Sequence, residues 1–282
     1  MVKIAIIMLV HKNENQINKL IDHLSKDFDV YVHIDKSASI NIKNRNNVFV
    51  FKEYKTYWGS FNIVLSTLLL LKEAHQKGYD RYILISGQDL PIKTNEEIKT
   101  FFKNNDSEYI DMIKIPREDG WPRIDRLTHY HLDSKYHGQD DIIKYKIFYR
   151  LGRRMLSFYS KCFPRKLNYT FYAGPQWFNF THNCVNKIFD YLASDKNYIE
   201  RYKWTLISDE IFFPTIIHLF EGLKIEKNCL RYLDWDIVAE HPRTLQMDDY
   251  EKIMQSDALF ARKFDEEIDK EVINSIYKII EK

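Results

Sequence analysis

Tyr82-Ile83-Leu84-Ile85-Ser86-Gly87-Gln88-Asp89-Leu90-Pro91-Ile92-Lys93-Thr94-Asn95 is the stretch from which the rest of the chain is best read. Tyr82 to Ile85 are apolar or aromatic and read as a buried strand. Ser86-Gly87 then makes a turn that exposes Gln88 and Asp89 at the strand's carboxyl end. Pro91 ends strand pairing, and Thr94 or Asn95 can cap a helix whose first turn holds Glu96 and Glu97. In open α/β sheets ligands sit in the crevice beyond the carboxyl ends of the strands. A polar pair delivered there is therefore a candidate site as well as a turn.

The preceding sequence supplies companion strands. Ile4 to Val10 is continuously apolar, as expected of a strand buried on both faces of a parallel sheet. His11 to Asn15 makes a turn, and Ile17, Leu20, Ile21 and Leu24 then recur at helical spacing. Phe28 to Asp35 is a second strand ending in an exposed Asp, and Val48 to Phe51 is a third. Tyr57-Trp58-Gly59-Ser60 caps a helix in which Val64, Leu68 and Leu71 share a face. This β-α-β-β-α-β order is the pattern of a nucleotide-binding α/β domain. One rim of its sheet presents Val10-His11, His33 to Asp35, Tyr57-Trp58 and Gln88-Asp89.

Beyond Asn104 the texture changes. Ile110 to Ile115 reads as one more apolar strand, followed by a polar loop, Pro116 to Arg123. His129, His131 and His137 follow, and the His129-x-His131 pair invites a metal reading, but no third ligand stands at fixed spacing. Lys144 to Phe163 is basic and aromatic, and reads first as a solvated helix face. The sharper alternative is a docking surface for an anionic membrane or a lipid-linked acceptor. Phe171 to Phe180 is a turn feeding a strand, with Trp177 offering a stacking face, and Cys184 to Leu192 is a short helix. Ser208 is a good N-cap, which puts Asp209 and Glu210 in a helix's first turn. Acids there serve as dipole partners, and a rigidly held carboxylate also suits a general base; the residues alone leave both open. Arg231 to Asp236 is strand-like, His241 to Leu245 is an extended loop, and a charged helix ends the chain.

The 282 residues suit one large domain or two small ones, and they are 45% hydrophobic. Lys and Arg number 42 against 40 Asp and Glu, so no global charge argues for nucleic acid. The three cysteines, Cys162, Cys184 and Cys229, lack metal spacing and read as reduced, mostly buried thiols of a cytosolic protein. No apolar run is long enough for a signal peptide or a membrane span, so a soluble, cytoplasmic protein is expected, with peripheral contact to the membrane's inner face as a variant of that reading.

Taken in order, Val32 to Asp35, Tyr57 to Ser60, Ser86 to Thr94, Ser208 to Glu210, His241 to Arg243 and Leu259 to Asp265 resemble the core-2/I-branching enzyme family. That family groups β-1,6-N-acetylglucosaminyltransferases with peptide O-xylosyltransferases. The resemblance spans nearly the whole chain and implies a single GT-A domain of α/β class. Residues 1–115 form its Rossmann-like nucleotide-sugar half, and 116–282 its acceptor-binding and catalytic half. It also implies inverting transfer of a sugar from a UDP-sugar to a hydroxyl, with UDP-N-acetylglucosamine the first expected donor, UDP-xylose the second and UDP-glucuronate a distant third.

The same resemblance assigns roles. Glu210 matches the catalytic Glu, the base that takes the acceptor proton. Arg243 and Lys263 fall where basic side chains hold the diphosphate. There they supply the stabilisation a metal would give, so no cofactor or metal is expected. Asp35 contacts the UDP moiety, with Val10 and His11 beside it; Trp58, Gln88 and Asp89 lie near the donor sugar. Trp177, Trp235 and Asp209 are acceptor-side candidates, and Glu118, Arg123 and Arg126 could line that side. Relatives from eukaryotes are membrane-anchored Golgi proteins with many disulfides. A bacterial enzyme of surface-polysaccharide synthesis is therefore expected, acting on a glycan or lipid-linked acceptor. Two other classes stay open: a nucleotide-sugar-binding protein without turnover, and a metal-dependent enzyme using Asp234 and Asp236 or the histidines.

Overall fold

A computed structural model describes residues 2–118, 120, 122–132, 146–235 and 242–281; Trp121, His137, Lys144, Asp236 and His241 lie outside the described residues. The chain opens with β1 (Ile4–Val10), α1 (Glu14–Leu24), β2 (Asp29–Ile34), β3 (Val48–Phe51), α2 (Phe61–His75) and β4 (Arg81–Ser86). β1 pairs in parallel with β2 and β4, and β2 with β3, so the carboxyl ends of these strands share one rim.

The two-residue period of a strand divides the core. Ala5, Ile7, Tyr31, Tyr82 and Leu84 face one cluster, with Val64, Leu68 and Leu71 of α2. Ile4, Ile6, Met8, Val30, Val32, Ile83 and Ile85 face the other, with Ile17, Leu20, Ile21 and Leu24 of α1. Each fully buried aliphatic side chain contributes ~1.5–3 kcal/mol. A one-residue slip in register would swap both sets, so the rim's position is firmly specified.

β5 (Asp89–Pro91) and α3 (Asn95–Phe102) follow. Thr94 caps α3 with a full capping box: its side chain accepts from Glu97 N, and Glu97 reaches back to Thr94 N. Pro91 ends strand pairing as expected, but from within a strand that the sequence did not announce. It closes β5, which pairs antiparallel with β12 (Phe260–Arg262). Because β5 is the edge of its three-stranded sheet, a residue lacking an N–H is tolerated there.

Ile110 to Ile115 is likewise two strands rather than one. β6 (Glu108–Ile110) joins the central sheet, and β7 (Ile113–Ile115) pairs with β8 (Phe171–Ala173) in another. Between β7 and β8 lie α4 (Asp125–Thr128) and α5 (Lys146–Cys162). β9 (Phe178–Thr181), α6 (His182–Ser194), α7 (Lys196–Tyr202), α8 (Asp209–His218), β10 (Ile225–Glu226), β11 (Arg231–Leu233), α9 (Tyr250–Gln255) and, after β12, α10 (Lys270–Ile280) complete the order.

Among the described residues the central sheet has seven strands in the order β10-β6-β9-β4-β1-β2-β3. β9 runs antiparallel to β4, with Arg81 opposite Thr181 and Ile83 opposite Asn179, so the sheet is mixed. That pairing brings the residues just before β9, including Trp177, to the carboxyl end of β4. α6 and α8 cover the face shared with α2, and α10 covers the face shared with α1. The three cysteines are free; Cys184 and Cys229 are buried and Cys162 is exposed. Among the described residues no helix is long and apolar enough to cross a membrane.

Candidate active site

The rim is assembled on the end of β1. Val10 O accepts from Asp35 N at 2.9 Å and Leu9 O accepts from Gly87 N at 3.0 Å, so the turns after β2 and β4 both hang from β1. Val10 itself is buried. Asp35 is not the exposed residue the sequence suggested. It is 3% exposed, and its carboxylate accepts from the backbone and hydroxyl groups of both Ser37 and Thr56. Burial pushes its pKa up, but these hydrogen bonds outweigh burial and hold it below the usual carboxylate value. Asp35 therefore ties together the loops that follow β2 and β3.

Gln88 stays partly open, its amide 3.5 Å from Phe264 O, whereas Asp89 is fully buried. The expectation that the turn exposes Asp89 toward a sugar is corrected. Its Oδ2 accepts from Ser86 N at 2.7 Å and from Arg262 Nη1 at 2.9 Å, and its Oδ1 lies 3.9 Å from Arg231 Nε. Arg262 also donates to Ser86 Oγ, and its guanidinium carbon sits 4.2 Å from the centre of the Trp177 ring. Trp177 is 6% exposed and already stacked by Arg262, so the open face expected of it is absent. The turn can approach β1 this closely because residue 87 is glycine. A Cβ there would meet Ile17 Cγ1 at 2.7 Å and Val10 Cγ1 at 3.2 Å. Gln16 completes the knot, donating to Gly87 O and Phe264 O and accepting from Glu266 N.

The Leu259–Asp265 segment is locked to the β1–α1 turn, where Asp265 accepts from Lys12 Nζ at 2.6 Å and Asn13 Nδ2 at 2.7 Å. His11, exposed at the end of β1, feels the charges of Lys12, Asp35, Arg262 and Asp265, so these groups share one neighbourhood. Lys263 joins it. Burial, then the charges of Arg262 and Lys12, lower its pKa, as for a cation without enough counter-charge. Leu245 N donates to Lys263 O at 2.8 Å, which places the Arg243 loop beside Lys263. Arg243, however, is engaged: Nε donates to Asp234 at 2.7 Å and Nη1 to Asp249 at 2.8 Å, with Nη2 completing a fork on Asp249.

Glu210 reaches this region from α8. Ser208 holds the N-cap position without the side-chain bond expected of it, and its hydroxyl is buried with no hydrogen-bond partner among the described residues. The start of α8 is instead fixed by two backbone bonds. Ile207 N donates to Gly59 O, beside the exposed Trp58, at 3.0 Å. Gly174 N donates to Glu210 O at 2.9 Å. A Cβ on Gly174 would lie 2.0 Å from Asp111 O, so only glycine fits there. Gly174 lies three residues before Trp177, which Arg262 stacks, so this short segment joins the Glu210 backbone to the rim.

The Glu210 side chain is 28% exposed and accepts from Arg126 Nη1 at 3.1 Å. Burial raises its pKa and Arg126 opposes the rise. Asp209 is buried, contrary to its acceptor-facing assignment, and its Oδ1 has no hydrogen-bond partner among the described residues. Burial, then the Glu210 charge, pushes it up to about 7.

The structure thus brings His11, Gln88, Arg243 and Lys263 to one rim, puts Asp35, Asp89, Trp177 and Asp209 inside, and pairs Glu210 with Arg126. Trp235 is 48% exposed at the end of β11, and Arg123 and Glu118 are exposed. Arg231 and Gln16 were not singled out by sequence reasoning, nor was Arg262 apart from its motif. The signal available was a charged residue inside an otherwise apolar strand, at Arg231 and Arg262. Arg126, a guess from sequence, is the direct partner of Glu210.

The chain matches the family model described as Core-2/I-Branching enzyme over residues 4–257. It is similar to xylosyltransferase 2 of Bos taurus, 24% identical over 317 residues that cover 98% of this chain and 33% of that protein. It is also similar to xylosyltransferase 1 of Homo sapiens, 23% identical over 317 residues, covering 98% and 30% respectively. The chain spans about a third of the length of the curated relatives it matches.

Proposed function

The chain belongs to the core-2/I-branching enzyme family, and from that premise we propose that it is an inverting, metal-independent glycosyltransferase of GT-A type. It moves a sugar from a UDP-sugar to a hydroxyl of a glycan or lipid-linked acceptor, in the assembly of a bacterial surface polysaccharide. The observation that carries this reading is the setting of Glu210. Its carboxylate is rigidly placed at a helix start, made more basic by burial, and oriented by Arg126. In the reaction the acceptor oxygen attacks the anomeric carbon while its proton passes to Glu210, and the C–O bond to the diphosphate breaks with its electron pair leaving on UDP.

The leaving diphosphate needs positive charge. Lys263 supplies part of it: the Leu245 N–Lys263 O bond sets it beside the Arg243 loop, and an incoming anion would offset the neighbouring charges of Arg262 and Lys12. Arg243 adds to the field, but Asp234 and Asp249 already engage its Nε, Nη1 and Nη2, which leaves the second Nη1–H for a phosphate. Of the three donors expected from sequence, the similarity to proteins named xylosyltransferases favours UDP-xylose over UDP-N-acetylglucosamine and UDP-glucuronate. The test is UDP release by purified protein from a panel of UDP-sugars, with and without EDTA. Slow hydrolysis of one donor that survives EDTA supports the reading and names the sugar. Activity lost to EDTA and restored by Mn²⁺ overturns the roles given to Lys263 and Arg243.

A further inference from the structure

α5 is long, cationic and only partly used by the fold. Its docked side is narrow. Ser160, fully buried, accepts from Tyr130 N at 2.9 Å, and Gly152 lies against Leu132. Just past the helix, Arg165 N donates to Thr128 O at 2.8 Å. At 100° per residue, Phe148, Leu151, Met155 and Phe158 line up on a different side. They are 73%, 53%, 65% and 71% exposed, a continuous apolar stripe where an ordinary surface helix carries polar groups.

Along α5 itself the charge has one sign. From Lys146 to Phe189 there is no Asp or Glu, and Arg150, Arg154 and Lys161 form a band along one edge of the stripe. That band opens on a cavity of about 960 Å³ between α5 and residues 125–132, where Arg150, Arg154 and Lys161 outnumber the single carboxylate of Asp125, and Leu151 and Phe158 of the stripe reach its edge. Two copies joined through the stripe would bring these like charges together. An anionic surface with an apolar interior satisfies both features at once, since arginine and lysine stems lie along apolar surface while their heads meet phosphate.

We propose that α5 is an interfacial helix that docks on an anionic lipid bilayer. Phe148, Leu151, Met155 and Phe158 enter the headgroup–acyl boundary, and Arg150, Arg154 and Lys161 meet headgroup phosphates. This inference stands independently of the donor site.

Flotation of the full chain with vesicles tests it. Binding to phosphatidylcholine vesicles containing phosphatidylglycerol is expected, with little to phosphatidylcholine alone, and a fall as salt shortens the Debye length from about 10 Å to about 3 Å. The double variant Leu151→Asp/Phe158→Asp is expected to lose about tenfold or more of this binding, with thermal unfolding unchanged. Should that variant fold poorly, Arg150→Glu/Lys161→Glu is expected to show the same loss. Equal binding to both vesicle types, no binding to either, or binding untouched by the variants would overturn the proposal. So would a wild-type dimer in solution that the aspartate variant splits into monomers, because the stripe would then be covered by a second copy.

Discussion

Asp209→Asn is expected to reverse its effect on stability with pH. The native carboxylate is 8% exposed, its Oδ1 lacks a hydrogen-bond partner among the described residues, and Glu210 is its neighbour. Burial first, and the Glu210 charge second, raise its pKa from an ordinary 3.8 to about 7. The folded state therefore holds the Asp209 proton more tightly than the unfolded chain. Stability from this group is fully present below 3.8, falls as pH rises, and levels off above about 7. At 1.36 kcal/mol per unit, ionisation costs ~4 kcal/mol on the alkaline side. Asparagine never pays this cost, although an imperfectly paired buried amide loses ~1–3 kcal/mol at every pH. The variant should thus be less stable than wild type near pH 4 and more stable near pH 8, a swing of ~4 kcal/mol. Urea unfolding across that range measures it. A stability difference independent of pH would refute the argument, because it would mean that Asp209 ionises as an ordinary carboxylate.

Arg126→Ala removes the cation that opposes the burial-driven rise in the Glu210 pKa, so the acid limb of kcat/KM should move to higher pH; an unmoved limb would separate Arg126 from the base. Arg262→Ala strips a partner from fully buried Asp89 and uncovers the Trp177 ring, and should cost ~3–5 kcal/mol in thermal unfolding. Lysine should rescue only part of this, since it can restore the charge beside Asp89 but not the planar stack on Trp177. Gly174→Ala would drive a Cβ to 2.0 Å from Asp111 O and disturb the Gly174–Glu210 bond. Lowered stability together with a fall in transfer of about tenfold or more is expected, and a well-folded, fully active variant would contradict the contact.

The strand pattern was legible because burial on two faces writes itself as unbroken apolar runs, as in Ile4 to Val10, and helical spacing marked α1 and α2 equally well. The cap of α3 was legible because the bonds of Thr94 are local. What failed was long-range. Whether Asp35 and Asp89 face solvent depends on Thr56, Arg231 and Arg262, which lie elsewhere in the sequence. β5 was missed for the same reason, since its pairing up to Pro91 depends on β12, residues about 170 positions on. Trp177 looked like an open face because nothing near it in sequence announces Arg262. The apolar stripe of α5 was hidden within a segment that composition showed only as basic and aromatic.

The central claim is that Glu210 removes the acceptor proton, and Glu210→Gln tests it most directly. The substitution keeps shape and hydrogen bonding to Arg126 while removing the basic carboxylate. Transfer from the active UDP-sugar, followed with UDP affinity measured by calorimetry on the same preparation, gives the two numbers needed. A loss of about 100-fold or more in turnover with UDP affinity kept within about twofold is the predicted result. Turnover retained within about tenfold of wild type would contradict it and move the base elsewhere.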